Sequence, residues 1–293
     1  MKNILYILSL MLCIGFVSCS DDNDPDRDNS IFAGQTLQRD KLDTWLLNNY
    51  AYPYNIDFKY KMEDIESDMK YTLVPADSAK AAKLAIIVKY LWLDAYAEVV
   101  GQDFIKANVP RQIHLIGSPA YNSEGTMVLG TAEGGLKITL YMVNELTEEM
   151  LHDYETLNEY YFHTIHHEFT HILNQRKPYD TAWDLISEGD FISGDWYTYS
   201  DQYAWQHGFV TPYAMSEPLE DFAEVMSVYV TITPEQWQEK IDGAGDKAET
   251  LEKKLEMVKT YMQDSWNLDL DELRSVVLRR ASELKTLDLE NLK

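Results

Sequence analysis

The chain has 293 residues, 25 of them basic and 49 acidic, for a formal charge of −24. That length can bury a substantial core, and 45% hydrophobic with 12% aromatic residues is the make-up of a globular protein, not of an acidic disordered chain. So negative a chain argues against nucleic-acid binding, which needs cations to displace phosphate counterions, and against docking by charge onto an anionic membrane.

Lys2 precedes an apolar run, Ile4 to Val17, broken only by Ser9 and Gly15. The run has the length of a signal-peptide core and is too short to cross a bilayer as a helix. It ends in Phe16-Val17-Ser18-Cys19, which resembles a bacterial lipobox: a small residue before a cysteine that is lipidated and becomes the new N-terminus. Phe16 departs from the Leu usual three positions before that cysteine. Residues 1–18 are therefore expected to be a lipoprotein signal peptide, with Cys19 lipidated. Residues 19–30 are polar and acidic, and are expected to form a flexible tether. Ser20-Asp21-Asp22 resembles the export signal of surface-exposed lipoproteins in Bacteroidota, implying a lipid-anchored, outward-facing protein of the outer membrane in the bacterial cell envelope. The chain has two cysteines, Cys13 in the signal and Cys19 at the anchor. The body thus expects no disulfide and must rest on its packed core.

From about residue 31 the composition becomes globular, and residues 31–293 are read as a single domain. Ser78 to Val100 has helical spacing of Ala82, Ala85, Ile86, Leu93, Ala97 and Val100, opened by Asp77 or Ser78 as cap. Three short β-rich runs follow: Gln112 to Ile116, Thr126 to Gly130, and Leu136 to Tyr141 after a turn at Gly134-Gly135. Helical pattern resumes at Thr147 and dominates to the end, with amphipathic stretches at Lys247–Asp264 and Asp271–Leu284. The expected fold is α+β, mainly helical, with a small mixed β-sheet.

The chemistry concentrates in Tyr160 to Gln175, which contains His167-Glu168-Phe169-Thr170-His171, an HExxH. On a helix, histidines four apart rise ~6 Å along one face, so both imidazoles can meet one zinc ion, and Glu168 can reach a water there. Ile165, Phe169, Ile172 and Leu173 supply an apolar face that would bury this helix, and a metal is a good reason to tolerate the polar residues on it. His163 stands on the same face, but ~12 Å of rise from His171 is too far for three ligands from one straight helix. His163 and His166 are read as packing or supporting residues.

A tetrahedral catalytic zinc needs a third protein ligand. The metzincin continuation would place Gly at 174 and His at 177, where this chain has Asn174 and Lys177, so that class is excluded. The candidates lie in the segment Gly208 to Glu224. Ser216 can cap a helix with Pro218 in its first turn, and on that helix Glu220 and Glu224 share a face. One of them can bind zinc while its neighbour orients a zinc-bound histidine. Between the two segments, Trp196, Tyr197, Tyr199, Tyr203 and Trp205 form either a substrate wall or ordinary packing, and the absence of a regular period favours packing.

HExxH, then Tyr213 and seven residues later Glu220-Asp221-Phe222-Ala223-Glu224, resembles the gluzincin branch that contains anthrax lethal factor. It is also similar to the zinc-binding metallopeptidase lipoproteins of Bacteroidota that accompany nutrient-import systems. The resemblance is strong over residues 160–231. It implies a zincin-like fold with the sheet packed on the HExxH helix, one zinc per chain, and His167, His171 and Glu220 as metal ligands. It further implies Glu168 as general base, Tyr213 as stabiliser of the oxyanion, and Glu224 as the support of a ligand histidine. The implied activity is a surface-anchored zinc-dependent metallopeptidase acting on proteins or peptides, with a strand of the sheet pairing with extended substrate by edge addition. An outer-membrane nutrient-import complex is the implied partner. Two other readings compete: a substrate-binding lipoprotein of an uptake complex with a structural or vestigial zinc site, and a zinc hydrolase of a non-peptide amide.

Overall fold

Asp40 caps the first helix of the body, accepting from Asp43 N at 2.8 Å while Asp43 reaches back to the Asp40 N–H. This is a reciprocal cap built from two acids at the positive end of the helix dipole. In this computed structural model the described residues are 39–63, 70–121, 127–128, 130–133 and 136–292, with 127–128 and 130–133 described as backbone. The signal peptide, Cys19, the tether, residues 31–38 and the turn at Gly134-Gly135 lie outside them. The chain divides between Arg39 and Asp40, and Asp40–Lys293 is one unit. Among the described residues no helix is long and apolar enough to cross a membrane.

The first helix, α1 (Lys41–Leu46), continues through a wider π-type turn, Leu47–Ala51, to Tyr54, and leads into β1 (Asp57–Lys59). The helix expected over 78–100 is present as α2 (Ser78–Val88), a π-type turn (Lys89–Leu93) and α3 (Asp94–Val100). Its cap is Asp77, which accepts from Ala79 N and Lys80 N at 3.0 Å each. The short α4 (Gln102–Asn108) follows. Strands β2 (Gln112–Leu115), β3 (Ala120–Tyr121), β4 (Met127–Val128), β5 (Gly130–Glu133) and β6 (Lys137–Leu140) come next. The main sheet runs β1-β2-β6-β5, with β1, β2 and β6 parallel and β5 antiparallel to β6, so it is mixed. β3 and β4 pair separately. β1 is too short to announce itself in sequence; its register, Phe58 opposite Ile113, joins residues far apart in the chain.

The rest is helical: α5 (Tyr154–Leu157), a π-type turn into α6 (His163–Arg176), α7 (Asp201–Gln206), α8 (Pro218–Thr231), α9 (Pro234–Ala244), α10 (Ala248–Trp266) and α11 (Leu270–Ser282). The fold is α+β and mainly helical. The HExxH helix α6 is central. Its apolar face, Ile165, Phe169, Ile172 and Leu173, is buried as its spacing predicts. Phe169 meets Trp92 edge-on at 5.4 Å and Tyr96 at 5.1 Å, which locks α6 onto the π-type turn Lys89–Leu93 and α3. On its other sides α6 packs against α8 and lies beside the edge strand β5.

One local expectation is corrected. Ser216 does not cap α8: its hydroxyl donates to the Tyr213 carbonyl at 2.7 Å, and Glu217 occupies the cap position without a side-chain bond. Pro218 at the first helical position has no N–H to satisfy, and the Trp183 indole N–H donates to its carbonyl at 3.0 Å, so the helix start is fixed by other means.

Candidate metal centre

Packing α8 against α6 faces the i, i+4 carboxylates of one helix with the i, i+4 imidazoles of the other. His167 Nε2 lies 2.8 Å from Glu220 Oε2 and 3.0 Å from His171 Nε2, and His171 Nε2 lies 3.2 Å from the same Glu220 oxygen. Three lone-pair atoms thus form a nearly equilateral triangle. Tetrahedral ligands held ~2.0–2.1 Å from a zinc ion are ~3.3 Å apart, so the triangle needs only slight opening to seat one. Two imidazoles and a carboxylate are a donor set that zinc takes.

The opposite edge of the His167 ring is engaged as well. Nδ1–H of His167 donates to Glu224 Oε1 at 2.7 Å, and His163 Nε2 reaches the same oxygen at 2.7 Å. The Thr211 hydroxyl donates to the other oxygen, Oε2. Glu224 is buried, and its contacts with His163 and His167 hold the carboxyl well below the ordinary range despite the opposing cost of burial. His163, His167 and Glu224 form a second group close enough to hold a cation. With both oxygens of Glu224 occupied by hydrogen-bond donors, that side is better suited to fixing the His167 tautomer. A proton kept on Nδ1 leaves the Nε2 lone pair aimed at Glu220 and His171.

Burial alone would lower His167, but Glu220 and Glu224 outweigh it and raise the imidazole to about 10. The site is therefore strongly attractive to positive charge, whether proton or metal. Glu220 itself is penalised by burial yet held down to about 2 by the two histidines.

Glu168 lines a cleft of about 480 Å³ together with His171, Glu220, Asn174 and Tyr179. Burial raises its carboxyl above the ordinary carboxylate range, partly offset by His167 and His171. The Tyr213 ring lies 5.6 Å from that of His167, and its phenol is within electrostatic reach of Glu220. Burial, then Glu220, raises the phenol, which keeps it protonated and able to donate. His166 turns the other way, into the core, with Nδ1 2.9 Å from the Tyr96 hydroxyl, and burial lowers it to about 3. It is a neutral packing residue.

All five sequence-predicted residues of the body's centre, His167, Glu168, His171, Tyr213 and Glu220, thus meet in one place, with Glu224 behind His167. Cys19 lies outside the described residues. The aromatic stretch divides. Trp196 packs edge-on to Tyr213 at 4.9 Å with Tyr197 beside it, whereas Tyr199, Tyr203 and Trp205 are half-buried against the core. Thr211 was not singled out by sequence, because a hydroxyl in a loop carries no periodicity or spacing signal.

A family model described as putative zinc-binding metallo-peptidase matches residues 35–271. Among solved structures, the crystal structure of a putative zinc-binding metallo-peptidase from Bacteroides caccae is similar, with 49% sequence identity and a TM-score of 0.76. The match covers 90% of this chain and 100% of that one. No curated protein matches.

Proposed function

From the premise that the chain belongs to the putative zinc-binding metallo-peptidase family, we propose that it is a lipid-anchored peptidase hydrolysing peptide bonds at a single zinc held by His167, His171 and Glu220. The observation that carries this reading is the triangle of His167 Nε2, His171 Nε2 and Glu220 Oε2, 2.8–3.2 Å on a side, at a cleft that Glu168 also lines. When bound, zinc supplies Lewis-acid chemistry, polarising the scissile carbonyl and acidifying a water.

The chain's own residues do the rest. Glu168, its carboxyl raised by burial toward the working pH, takes a proton from the attacking water and returns it to the leaving amine nitrogen. The Tyr213 hydroxyl, kept protonated by burial and by Glu220, donates to the oxygen on which negative charge develops. Glu224 keeps His167 oriented through Nδ1. The edge strand β5, beside α6, offers backbone groups to an extended peptide. A half-buried Glu168 with a raised carboxyl favours the enzyme over the binding-lipoprotein reading, since a purely structural metal needs no base. Anchoring through Cys19 at the outer-membrane surface belongs to the same proposal. Loss of membrane association in Cys19→Ala is its expected signature.

The deciding measurement is zinc per chain in purified wild type and Glu220→Gln. About one zinc in wild type and clear loss in the variant are expected of a three-ligand site. A peptide-library digest with Glu168→Gln as the zinc-loaded, inactive control then tests hydrolysis. No zinc in wild type after reconstitution would overturn the enzyme in favour of a binding protein.

A further inference from the structure

Beside the metal cleft lies a second cavity of about 640 Å³, and Pro178 and Tyr179 line both. Its floor is the half-buried Tyr179 ring, backed by buried aromatics: Phe222 stacks behind Tyr179 at 4.6 Å with the planes 8° from parallel and meets Tyr261 edge-on at 5.2 Å. Its rim carries Asp180, Glu256 and Asp264 against Lys253, with the Lys177 ammonium at its edge donating to the Ser265 carbonyl. Among the described residues none of these three carboxylates is in an ion pair; Asp180 accepts only from Ala182 N, at 2.9 Å. On the metal side of Tyr179, Asp184 accepts from the Tyr179 hydroxyl at 3.3 Å, and among the described residues no Lys or Arg lines that cleft.

An acidic surface alone would attract any cation weakly. An aromatic floor under an acidic rim is more selective. It fits a long side chain with an apolar stem and a cationic head, the stem lying on the Tyr179 ring and the head among the carboxylates. An extended substrate held in the metal cleft has this cavity as its continuation past Tyr179. The charge of −24 would draw basic peptides toward it.

We propose that the second cavity is a substrate subsite for a Lys or Arg side chain, so that the substrates of the neighbouring metal cleft are peptides with a basic residue to one side of the scissile bond. This rests on the peptidase reading for its meaning, but binding can be measured without turnover. Blocked peptides with one Arg, scanned through the sequence, are titrated against zinc-loaded Glu168→Gln protein beside peptides with citrulline in place of Arg, which keeps the shape and removes the charge. At the matching position the Arg peptide should bind about tenfold more tightly, as expected of three exposed charges acting together. The gap should shrink with salt. It should close to about twofold or less in the same protein carrying Asp180→Asn, Glu256→Gln and Asp264→Asn, with zinc content unchanged. Asn at 180 keeps the oxygen that Ala182 N uses.

Equal binding of Arg and citrulline peptides at every position would overturn the subsite, as would a charge preference that survives the triple variant. Tighter binding of an aromatic peptide than of the Arg peptide would assign the floor to a different side chain and also overturn it. Digestion of the same peptides by wild type is read separately. Zinc-loaded wild type that cleaves none of them fails the peptidase reading, while the binding arm still decides the cavity.

Discussion

Glu224 accepts from His167, His163 and Thr211 at once, and Glu220 faces the other nitrogen of the same imidazole, so two chemically identical side chains one helical turn apart are expected to fail differently. Glu220→Gln removes an anionic donor from the triangle and should abolish stoichiometric zinc. Glu224→Gln should retain zinc at saturation but weaken it about 10–100-fold, the usual cost of losing the partner behind a ligand histidine; competition with a chelator reads both. Tyr213→Phe should leave zinc content alone and lower kcat by about 100–1,000-fold, as does loss of an oxyanion donor elsewhere. An unchanged kcat would remove Tyr213 from the chemistry. The pH dependence has a definite sign. Glu168 works deprotonated and burial raises it, so kcat/KM should fall as pH drops through a value above the ordinary carboxylate pKa of 4.5. Zinc content measured at each pH separates that limb from displacement of the metal by protons at His167, which the same carboxylates favour.

Helix spacing made the α6 half of the site legible in sequence: the four-residue interval of His167 and His171 and the apolar face behind them are both periodic signals. Glu220 and Glu224 were legible as a pair on one face, but composition alone left open which one binds. The resemblance favoured Glu220, and the packing of α8 on α6 puts it at Nε2 and Glu224 at Nδ1. What sequence could not announce is contact between distant, aperiodic pieces, such as β1 against β2, Thr211 against Glu224, or Trp196 against Tyr213. The loop before α8 is the clearest case. It begins at Gly208, whose φ of +82 is one that L side chains rarely adopt, and a Cβ there would sit 2.9 Å from Thr250 Cγ2 on α10. Gly208→Ala should therefore cost about 1–2 kcal/mol for the left-handed backbone alone, before the clash. Because Thr211 and Tyr213 follow in the same loop, kcat should fall along with the urea midpoint. A variant with wild-type stability and activity would show that the loop is not held by this turn.

The C-terminal helices tie the same loop and helix together from behind. Lys254 of α10 is fully buried, with Nζ 2.7 Å from Asp221 of α8 and 2.7 Å from the Gly208 carbonyl, and it lies 4.0 Å over the Phe209 ring. One side chain thus joins α10 to the helix carrying Glu220 and to the loop carrying Tyr213. Burial pushes the Asp221 carboxyl up to about 6 and the Lys254 ammonium down, each partly countered by the other, so desolvation outweighs their attraction. Removing one partner should be far worse than removing both. Lys254→Met alone should cost about 3–5 kcal/mol, whereas Lys254→Met with Asp221→Leu should be close to neutral or even stabilising. The sign with pH follows from the raised carboxyl. With its folded pKa above the unfolded value of 3.8, Asp221 takes up a proton more readily when folded, so its burial penalty is present above pH ~6 and relieved as pH falls toward ~4. Without Lys254 that carboxyl rises further, so in zinc-free protein Lys254→Met should begin to recover stability relative to the double variant already above pH ~6 and complete the recovery near ~4. Urea unfolding of wild type, both single variants and the double variant closes the cycle. If the single and double variants are equally unstable, Lys254 acts through its bond to Gly208 and not through the buried carboxylate. In that case the C-terminal region supports the metal centre by holding the Tyr213 loop alone.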